Sequence, residues 1–403
     1  MALFEGFTTA KNRVLGIKRG QALLVVAFSL FLLMRFVPWP NWLPVPAKYA
    51  DASLYVTAGQ ALVGGALPDS VNQAHPPLAK YIIGVFSVYF NSPNGSSLVF
   101  GLLTAIVAFL IARRFAGNTL WGAVTVWIMA FDQVNISLSI RPMLDIFMIF
   151  FAVVGFYLIV TTDEGMLRYC VAGLSLGFAV ACKLNGALFL IPALVILVFE
   201  RRLKETTGLL VSAIIAYVSS YFQLLLTKGV DGLLNAQVLM LNFGVEPHVS
   251  GENLSPLTRV LTPLIVHTST LAPTGYALCP PNVLGLPFSS IAETVNAPLL
   301  LLSFPILYWL VRHRHTSSPQ RQRTIRLLIA TVVGCLFYEA AFPFTIGVWY
   351  FAPFGTVLAI SAPAMFKELQ GKRVTAYSTY LYLIAATTWL VFANAIYLSC
   401  GVP

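Results

Sequence analysis

Residues 97–114, SLVFGLLTAIVAFLIARR, decide the class of fold. Residues 97–112 carry no charge, and the run ends at Arg113 and Arg114. A helix crosses a bilayer with about 20 mainly apolar residues, and basic residues concentrate at its cytoplasmic end. The stretch therefore predicts a membrane-spanning helix whose C-terminal end faces the cytoplasm.

The composition of the whole chain agrees with a membrane protein. Of its 403 residues, 58% are hydrophobic and only 10% are charged, with a mean hydropathy of +0.80. Soluble proteins carry about 25% charged residues. Similar apolar runs recur without the alternation of barrel strands, which predicts an all-α polytopic membrane protein. The five cysteines show no metal-binding spacing, and the first apolar run ends in Pro38-Trp39-Pro40 rather than at a signal-peptide cleavage site.

About eleven membrane spans are predicted, several of them at the short limit for a bilayer. They cover residues 21–37, 97–112, 119–137, 142–160, 168–182, 185–199, 207–226, 297–311, 326–342, 346–366 and 377–399. Residues 168–199 also allow one long helix broken at Lys183. A single span there would move the later basic loops to the opposite side, so we predict two short spans that turn at residues 183–186, KLNG.

The basic residues orient these spans. With a cytoplasmic N-terminus, 18 of the 25 lysines and arginines lie inside. These are Lys11, Arg13, Lys18, Arg19, Arg113, Arg114, Arg168, Arg201, Arg202, Lys204, Arg312, Arg314, Arg321, Arg323, Arg326, Lys367, Lys372 and Arg373. The asymmetry accounts for the net charge of +10 without a nucleic-acid partner.

Two long segments then face the outside, residues 38–96 and 227–296. We expect a single transmembrane domain over residues 1–403, with no separate soluble domain. Residues 79–90 are too short to cross and are expected to lie in the interface, among membrane lipids. The second segment is rich in Pro, Asn, Gly and Thr, so it is expected to be ordered in short pieces over the membrane.

Asp51 is the first candidate for chemistry. It precedes an amphipathic stretch in which Tyr55, Ala58 and Leu62 follow at helical spacing. A carboxylate fixed near the membrane surface can act as a general base toward a hydroxyl group. The plainer interpretation is a helix N-cap or a solvated acid.

The motif HPPLAK, residues 75–80, adds two polar groups near the membrane boundary. His75 and Lys80 could face a phosphate, while residues 81–90 beyond them face a lipid tail. The alternative is an interfacial helix start with a snorkelling lysine.

Other candidates lie at the outer ends of later spans. Arg141 and Asp145 are spaced i, i+4 on the predicted fourth span, which indicates either a polar cavity or a structural ion pair. Lys183 is either a phosphate ligand or another snorkelling lysine. Glu246, His248, Arg259 and Tyr350 complete the set. Glu246 and His248 could join Asp51 around a divalent cation, but no ligand spacing supports one, so no metal is predicted.

Four stretches jointly resemble the protein O-mannosyltransferases and their prokaryotic relatives. They are DASLYVTAGQALVGG (51–65), HPPLAKYIIG (75–84), SIRPMLDIFMIFF (139–151) and GLSLGFAVACKLNGALFLIP (173–192). HPPLxK is the most specific, and the resemblance covers about residues 45–200. It implies a GT-C fold, a polyprenyl-phosphate sugar donor and a small, archaeal-type member without the sugar-binding MIR modules of the eukaryotic enzymes.

The resemblance also implies roles for individual residues. Asp51 matches the acid that deprotonates the acceptor hydroxyl, but Ala52 replaces the glutamate that usually follows and helps to position the acceptor. The related aminoarabinose transferases have a lysine where this chain has His75. The donor phosphate would be bound by His75, Lys80, Arg141, Lys183 and Arg259. Tyr55, Asp145, Glu246, His248 and Tyr350 would serve the acceptor or the structure.

The predicted function is transfer of a hexose, predicted to be mannose, from dolichyl phosphate to a protein Ser/Thr hydroxyl on the extracytoplasmic face. Attack by a hydroxyl that Asp51 activates would invert the sugar, with cationic side chains in place of a metal cofactor. One alternative keeps the chemistry but uses a lipid-linked or protein-bound glycan as acceptor. Alternatives of other classes are a secondary transporter, which midplane polar groups and an internal repeat would indicate, and a non-catalytic subunit.

Overall fold

The described residues form an all-helical membrane protein. The computed structural model describes residues 20–33, 35, 50–161, 165–245, 303–315, 318–341 and 352–369. Within these ranges the secondary structure is helical, with turns between the helices and no strand. The predicted all-α class is confirmed.

Fourteen α-helices are described. They are α1 (Gly20–Leu33), α2 (Ala50–Val63), α3 (Leu78–Phe90), α4 (Pro93–Ala116), α5 (Thr119–Phe131), α6 (Gln133–Ile140), α7 (Leu144–Thr161), α8 (Met166–Cys182), α9 (Ala187–Phe199), α10 (Leu203–Ser219), α11 (Phe222–Val245), α12 (Ser303–Arg312), α13 (Pro319–Ala341) and α14 (Ala352–Leu369). A 3-10 turn at Leu184–Gly186 joins α8 to α9.

Three described segments are long and apolar enough to cross a membrane. They are α4, α7 and Phe222–Asn242 within α11, and shorter apolar helices surround them. The chain is an integral membrane protein. α2 and α3 form within the predicted first outer segment, and α3, with 13 residues, is too short to span a bilayer. The predicted span 377–399 lies outside the described residues.

Contacts between helix ends show that the bundle has two distinct ends. Arg114 Nη2, in the last turn of α4, donates to Thr161 O at the end of α7 at 3.4 Å. Asp145 lies in the first turn of α7. At 1.5 Å per residue this helix is about 27 Å long. Asp145 therefore lies a membrane's thickness away from Arg114 and Thr161.

The turn at residues 183–186 reverses the chain, as predicted. Arg202, beyond the end of α9, donates through Nη1 to Tyr169 Oη near the start of α8 at 2.8 Å. The two helices are therefore antiparallel neighbours, and the single-helix interpretation of residues 168–199 is wrong. Arg202 shares the end of the bundle that also holds Arg323, which donates to the same Tyr169 Oη at 3.1 Å.

Small residues let α8 and α10 approach closely. A Cβ atom added at Gly173 or Gly177 would overlap the backbone of Leu209 or Ala213. These two glycines form a small-xxx-small pattern, which favours close packing of helices in membranes. The packing fixes α8 and, with it, the position of Lys183 at its end.

The structure differs from the sequence prediction after residue 219. The span predicted at 207–226 ends at Ser219, and α11 occupies the start of the predicted outer segment 227–296. Gly229 interrupts α11 with φ 66° and ψ −160°. Tyr217 Oη donates to Gln237 Oε1 at 2.5 Å, so the second half of α11 folds back toward α10. The Pro, Asn, Gly and Thr residues that are typical of a loop lie mainly beyond residue 246. Because the prediction treated residues 227–296 as one segment, it missed α11.

Candidate functional site

Asp51 lies at the exposed start of α2. The helix buries Ala52, Tyr55, Ala58 and Leu62 on one face, as their spacing predicts. The Asp51 carboxylate sits in the first turn, where the helix dipole favours negative charge. Ala52 is 0% exposed, so position 52 faces the core rather than the exposed face that carries Asp51. An acid at position 52 would not share that face.

Two glycines allow α2 and α3 to cross in direct backbone contact. A Cβ atom at Gly59 would overlap the carbonyl oxygen of Lys80, and one at Gly84 would overlap the Gly59 carbonyl. Gln60 Nε2 also donates to Ser87 Oγ at 2.8 Å across this crossing. The start of α3 is therefore fixed against the helix that carries Asp51.

Lys80 is buried beneath the HPP segment. Its Nζ donates to the backbone carbonyls of Asn72 and His75, each at 2.6 Å. Only 1% of the residue is exposed, and burial lowers the pKa of Lys80 to about 7. Asn72 adopts a φ of 40°, which residues other than glycine rarely do. The Lys80 side chain thus binds the loop that leads to His75.

His75 packs against Tyr55 of α2. The ring centroids are 5.9 Å apart and the rings meet edge to face, at 63°. Burial lowers the pKa of His75 well below its usual value, and the charges of Lys183 and Lys80 lower it further. The imidazole is therefore neutral at physiological pH, with one nitrogen that donates and one that accepts.

Asp145 and Lys183 form a buried ion pair. Lys183 Nζ lies 2.7 Å from Asp145 Oδ1, and the two side chains are 4% and 2% exposed. Asp145 belongs to the first turn of α7, and Lys183 is the extended residue that ends α8. The pair joins α7 to the turn between α8 and α9.

The predicted placement of Arg141 and Asp145 on one helix face is wrong. α7 begins at Leu144, and Arg141 lies in the turn before it, half-buried. Arg141 precedes Pro142, and a residue before proline is disfavoured in the helical conformation. Arg141 still lies at the same end of the bundle as Asp145, because only three residues separate them.

The charges of this buried pair act on the pKa of Asp51. Burial raises the pKa of Asp51, the positive charge of Lys183 opposes that rise, and the negative charge of Asp145 adds to it. The structure therefore brings Asp51, His75, Lys80, Asp145 and Lys183 into one cluster. Their elements are α2, the loop before α3, the start of α3, α7 and the turn after α8.

Four predicted site residues cannot be placed. Glu246, His248, Arg259 and Tyr350 lie outside the described residues, so their roles remain predictions.

Sequence reasoning missed the contacts of α11 with this region. Tyr81 Oη donates to Gln223 Oε1 at 2.8 Å, and Gln223 Nε2 donates to Gly65 O at 2.9 Å. Lys228 also pairs with Asp69 at 2.5 Å. These contacts fasten α11 to α3 and to the loop between α2 and α3. No local pattern could reveal them, because the partners are more than 140 residues apart in sequence.

Comparisons with known proteins agree with this architecture. Residues 94–238 match the family model described as dolichyl-phosphate-mannose-protein mannosyltransferase. No curated protein matches the chain. The apo oligosaccharyltransferase of Archaeoglobus fulgidus is similar in structure, with a TM-score of 0.55 and 14% identity over 93% of this chain and 55% of its own. Apo ArnT from Cupriavidus metallidurans gives a TM-score of 0.58 and 15% identity over 89% of this chain and 60% of its own.

The chain spans less than two thirds of the length of either neighbour. At these identities the similarity concerns the fold. With the family match over residues 94–238, it confirms the resemblance that the motifs indicated. The chain is an integral membrane protein with the fold of the GT-C glycosyltransferases, and its residues 94–238 match the mannosyltransferase family model.

Proposed function

We propose that this protein is a membrane glycosyltransferase that moves a sugar from a polyprenyl phosphate to a hydroxyl acceptor. Its structural neighbours support the kind of partner. One is ArnT bound to undecaprenyl phosphate, and another is the archaeal oligosaccharyltransferase AglB in complex with an inhibitory peptide and a dolichol-phosphate. The family match over residues 94–238 supports the same chemistry.

One observation carries the proposal: an exposed carboxylate with raised proton affinity lies beside buried cationic groups. Asp51 is exposed as a residue at the start of α2, but its carboxylate is partly shielded from solvent. This partial burial raises the pKa of the carboxylate. A general base works best when its pKa lies closer to the operating pH than that of an ordinary carboxylate. Asp51 is thus suited to take a proton from an acceptor hydroxyl.

The reaction follows from this arrangement. The Asp51 carboxylate accepts the hydroxyl proton as the acceptor oxygen attacks the anomeric carbon of the donor sugar. The bond from that carbon to the phosphate oxygen breaks, and the polyprenyl phosphate leaves with the electron pair. Attack opposite the leaving group inverts the anomeric carbon in a single displacement.

Groups near Asp51 can stabilise the leaving phosphate. Lys183 and Arg141 bring positive charge to this end of the bundle, and the neutral His75 brings a ring N–H donor. A leaving phosphate gains charge as its bond to the sugar breaks, so placed donors lower the barrier.

Mannose and a protein Ser/Thr acceptor are the finer part of the proposal. The family match favours mannose from a dolichyl-phosphate donor. The second candidate acceptor is a lipid-linked or protein-bound glycan, whose hydroxyl group would take part in the same displacement.

The position of the cluster favours an enzyme over a transporter. Secondary transporters bind their substrates near the bilayer midplane. Here Asp145 starts α7 and Lys183 ends α8, so the cluster lies at one end of the bundle. That end also carries Asp51 and His75.

The decisive experiment uses the purified protein with radiolabelled dolichyl-phosphate mannose and a panel of Ser/Thr peptides, glycans and lipids. We expect label on one acceptor class and release of an equal amount of dolichyl phosphate. Uptake of a solute into vesicles, with no transfer from any polyprenyl-phosphate sugar, would show that the protein is a transporter instead.

We propose further that the Asp51 end faces away from the cytoplasm, because most basic residues lie at the other end. In a cysteine-free background, Ser70→Cys should react with an impermeant maleimide in intact cells. Ser318→Cys, before α13 at the basic end, should react only after permeabilisation. The opposite pattern would place the site on the cytoplasmic face.

A further inference from the structure

We propose that Lys80 is a positioning residue, which holds residues 72–77 as a backbone clamp so that the His75 ring lies in the site. This inference rests on the proposed function only for its kinetic consequences. It assigns Lys80 a role different from the phosphate contact that HPPLAK suggests in sequence.

The groups that Lys80 binds are backbone carbonyls. Its Nζ donates to Asn72 O and His75 O, both at 2.6 Å. Both acceptors belong to the backbone of one short loop. Two N–H groups of Lys80 are therefore directed at this loop rather than at a ligand, and only 1% of the residue is exposed.

The Lys80 side chain has enough N–H groups for both carbonyls in either protonation state. An ammonium group has three N–H donors, and a neutral amine still has two. Two carbonyls need two donors, so the clamp holds whether or not Lys80 carries a proton. The low pKa of Lys80, about 7, supports a structural use of the amine rather than a use that depends on charge.

The loop that Lys80 clamps, residues 72–77, has a restricted backbone. Pro76 and Pro77 fix the φ angles that follow His75. Asn72 is held at a φ of 40°, which costs energy unless the surroundings stabilise it. Clamping the carbonyls at both ends of residues 72–75 therefore fixes the direction of the His75 side chain.

The backbone of Lys80 is itself packed tightly against α2. The Lys80 carbonyl packs against Gly59 of α2, where no side chain fits. Tyr55, one turn before Gly59 on the same helix, packs edge to face with the His75 ring. Lys80 thus ties His75 to the helix that carries Asp51.

Two neutral substitutions separate donor groups from charge. Lys80→Gln keeps two N–H donors on a side chain one atom shorter, whereas Lys80→Met has none. Hydrogen exchange of the peptide covering residues 68–79 should accelerate about tenfold or more in Lys80→Met, because two buried carbonyls lose their donors. Lys80→Gln should lie closer to the wild type. Lys204→Met, which removes an exposed lysine at the opposite end of the bundle, should leave the exchange of this peptide unchanged.

Exchange that stays at the wild-type rate in Lys80→Met would overturn the proposal. This readout needs no substrate. If no polyprenyl-phosphate sugar supports transfer by the wild type, the proposed function fails, and the exchange comparison still decides the role of Lys80.

A double-mutant cycle with His75 tests the kinetic consequence. We expect Lys80→Met to lower kcat about 100-fold, the scale of a misplaced catalytic group, and Lys80→Gln to restore part of that loss. In the His75→Ala background, Lys80→Met should cost little more, because Lys80 acts through His75. Losses that multiply would show that Lys80 contacts the donor itself and would overturn the proposal. Thermal unfolding of each variant confirms that the fold is retained.

Discussion

Ion pairs occur at both ends of the bundle, but they differ in burial. At the basic end, Arg202 and Glu205 are 2.7 Å apart, with side chains 18% and 23% exposed. At the other end, Lys183 and Asp145 are also 2.7 Å apart, but only 4% and 2% exposed. The carboxylate of Asp51 lies beside this second pair, exposed and with a raised pKa.

The difference in burial agrees with our proposal that the Asp51 end holds the active site. At the basic end, Glu205 accepts two hydrogen bonds from Arg202, so its charge is satisfied within the protein. At the other end, Lys183 is satisfied by Asp145, and Asp51 keeps its affinity for a proton. The following predictions test this contrast, from the largest expected effect to the smallest.

Asp51→Asn should have the largest effect. The substitution keeps the shape of the side chain but removes the proton acceptor, so turnover should fall about 100- to 10,000-fold. Donor affinity should survive, because a carboxylate does not help to bind a phosphate. Glu205→Gln at the basic end is the matched control and should leave turnover nearly unchanged. Wild-type turnover in Asp51→Asn, measured with donor affinity on the same preparation, would exclude Asp51 as the base.

Lys183→Met should strongly destabilise the protein. It leaves the buried charge of Asp145 without its partner, and breaking a buried pair costs about 3–5 kcal/mol. Glu205→Gln breaks the partly exposed pair and should cost about 1 kcal/mol or less. The measurement is the loss of stability in a denaturant titration in detergent.

A double variant separates the fold from function at this pair. Lys183→Met combined with Asp145→Leu removes both charges and should recover most of the stability. Turnover should not recover, since the cation near Asp51 is still missing. If the double variant is both stable and fully active, the pair serves the fold alone.

Gly59→Ala should have an intermediate effect. A Cβ atom there overlaps the Lys80 carbonyl, so α2 and α3 must move apart, at a cost of about 1–3 kcal/mol. Gly334→Ala in α13 is the control, because its Cβ would meet nothing closer than 4.0 Å. Thermal unfolding of the two variants gives the comparison. Equal stability would show that the crossing of α2 and α3 tolerates a Cβ atom at position 59.

The pH profile of turnover should show the smallest effect, about tenfold per unit. Asp51 must be deprotonated to act as a base, so turnover should fall as the pH drops below its pKa. Because that pKa is raised, the fall should begin at a higher pH than for an ordinary aspartate. Asp145→Asn removes a negative charge that raises the pKa, so it should move the acid limb to lower pH. An acid limb that does not move would separate Asp51 from the Asp145 pair.

Much of the fold was predictable because its signals are local. The apolar run at 97–112 lies within α4, and the run at 142–160 corresponds to α7. The chain reversal at Lys183 followed from keeping the basic residues on one side. The kinked α11 was not predicted, because the composition of the whole segment outweighed the helical spacing of its first part.

The candidate site was predictable as a set of residues but not as a set of contacts. Asp51 was chosen for its position and its motif, and the structure places His75 and Lys183 near it. The predicted placement of Arg141 and Asp145 on one helix face was wrong, because Pro142 keeps Arg141 out of α7. Lys183 is 38 residues from Asp145, and no spacing rule reaches that far.

The sequence by itself determined that this chain is a helical membrane protein, and it supplied the residues of the candidate site. It did so because hydropathy and charge act locally, on each helix and each loop. Only the tertiary structure decided that Lys183 neutralises Asp145, that Lys80 binds backbone carbonyls and that α11 fastens the loop between α2 and α3. A buried polar group takes the partner that folding brings within hydrogen-bonding distance, and that distance is a property of the packed helices.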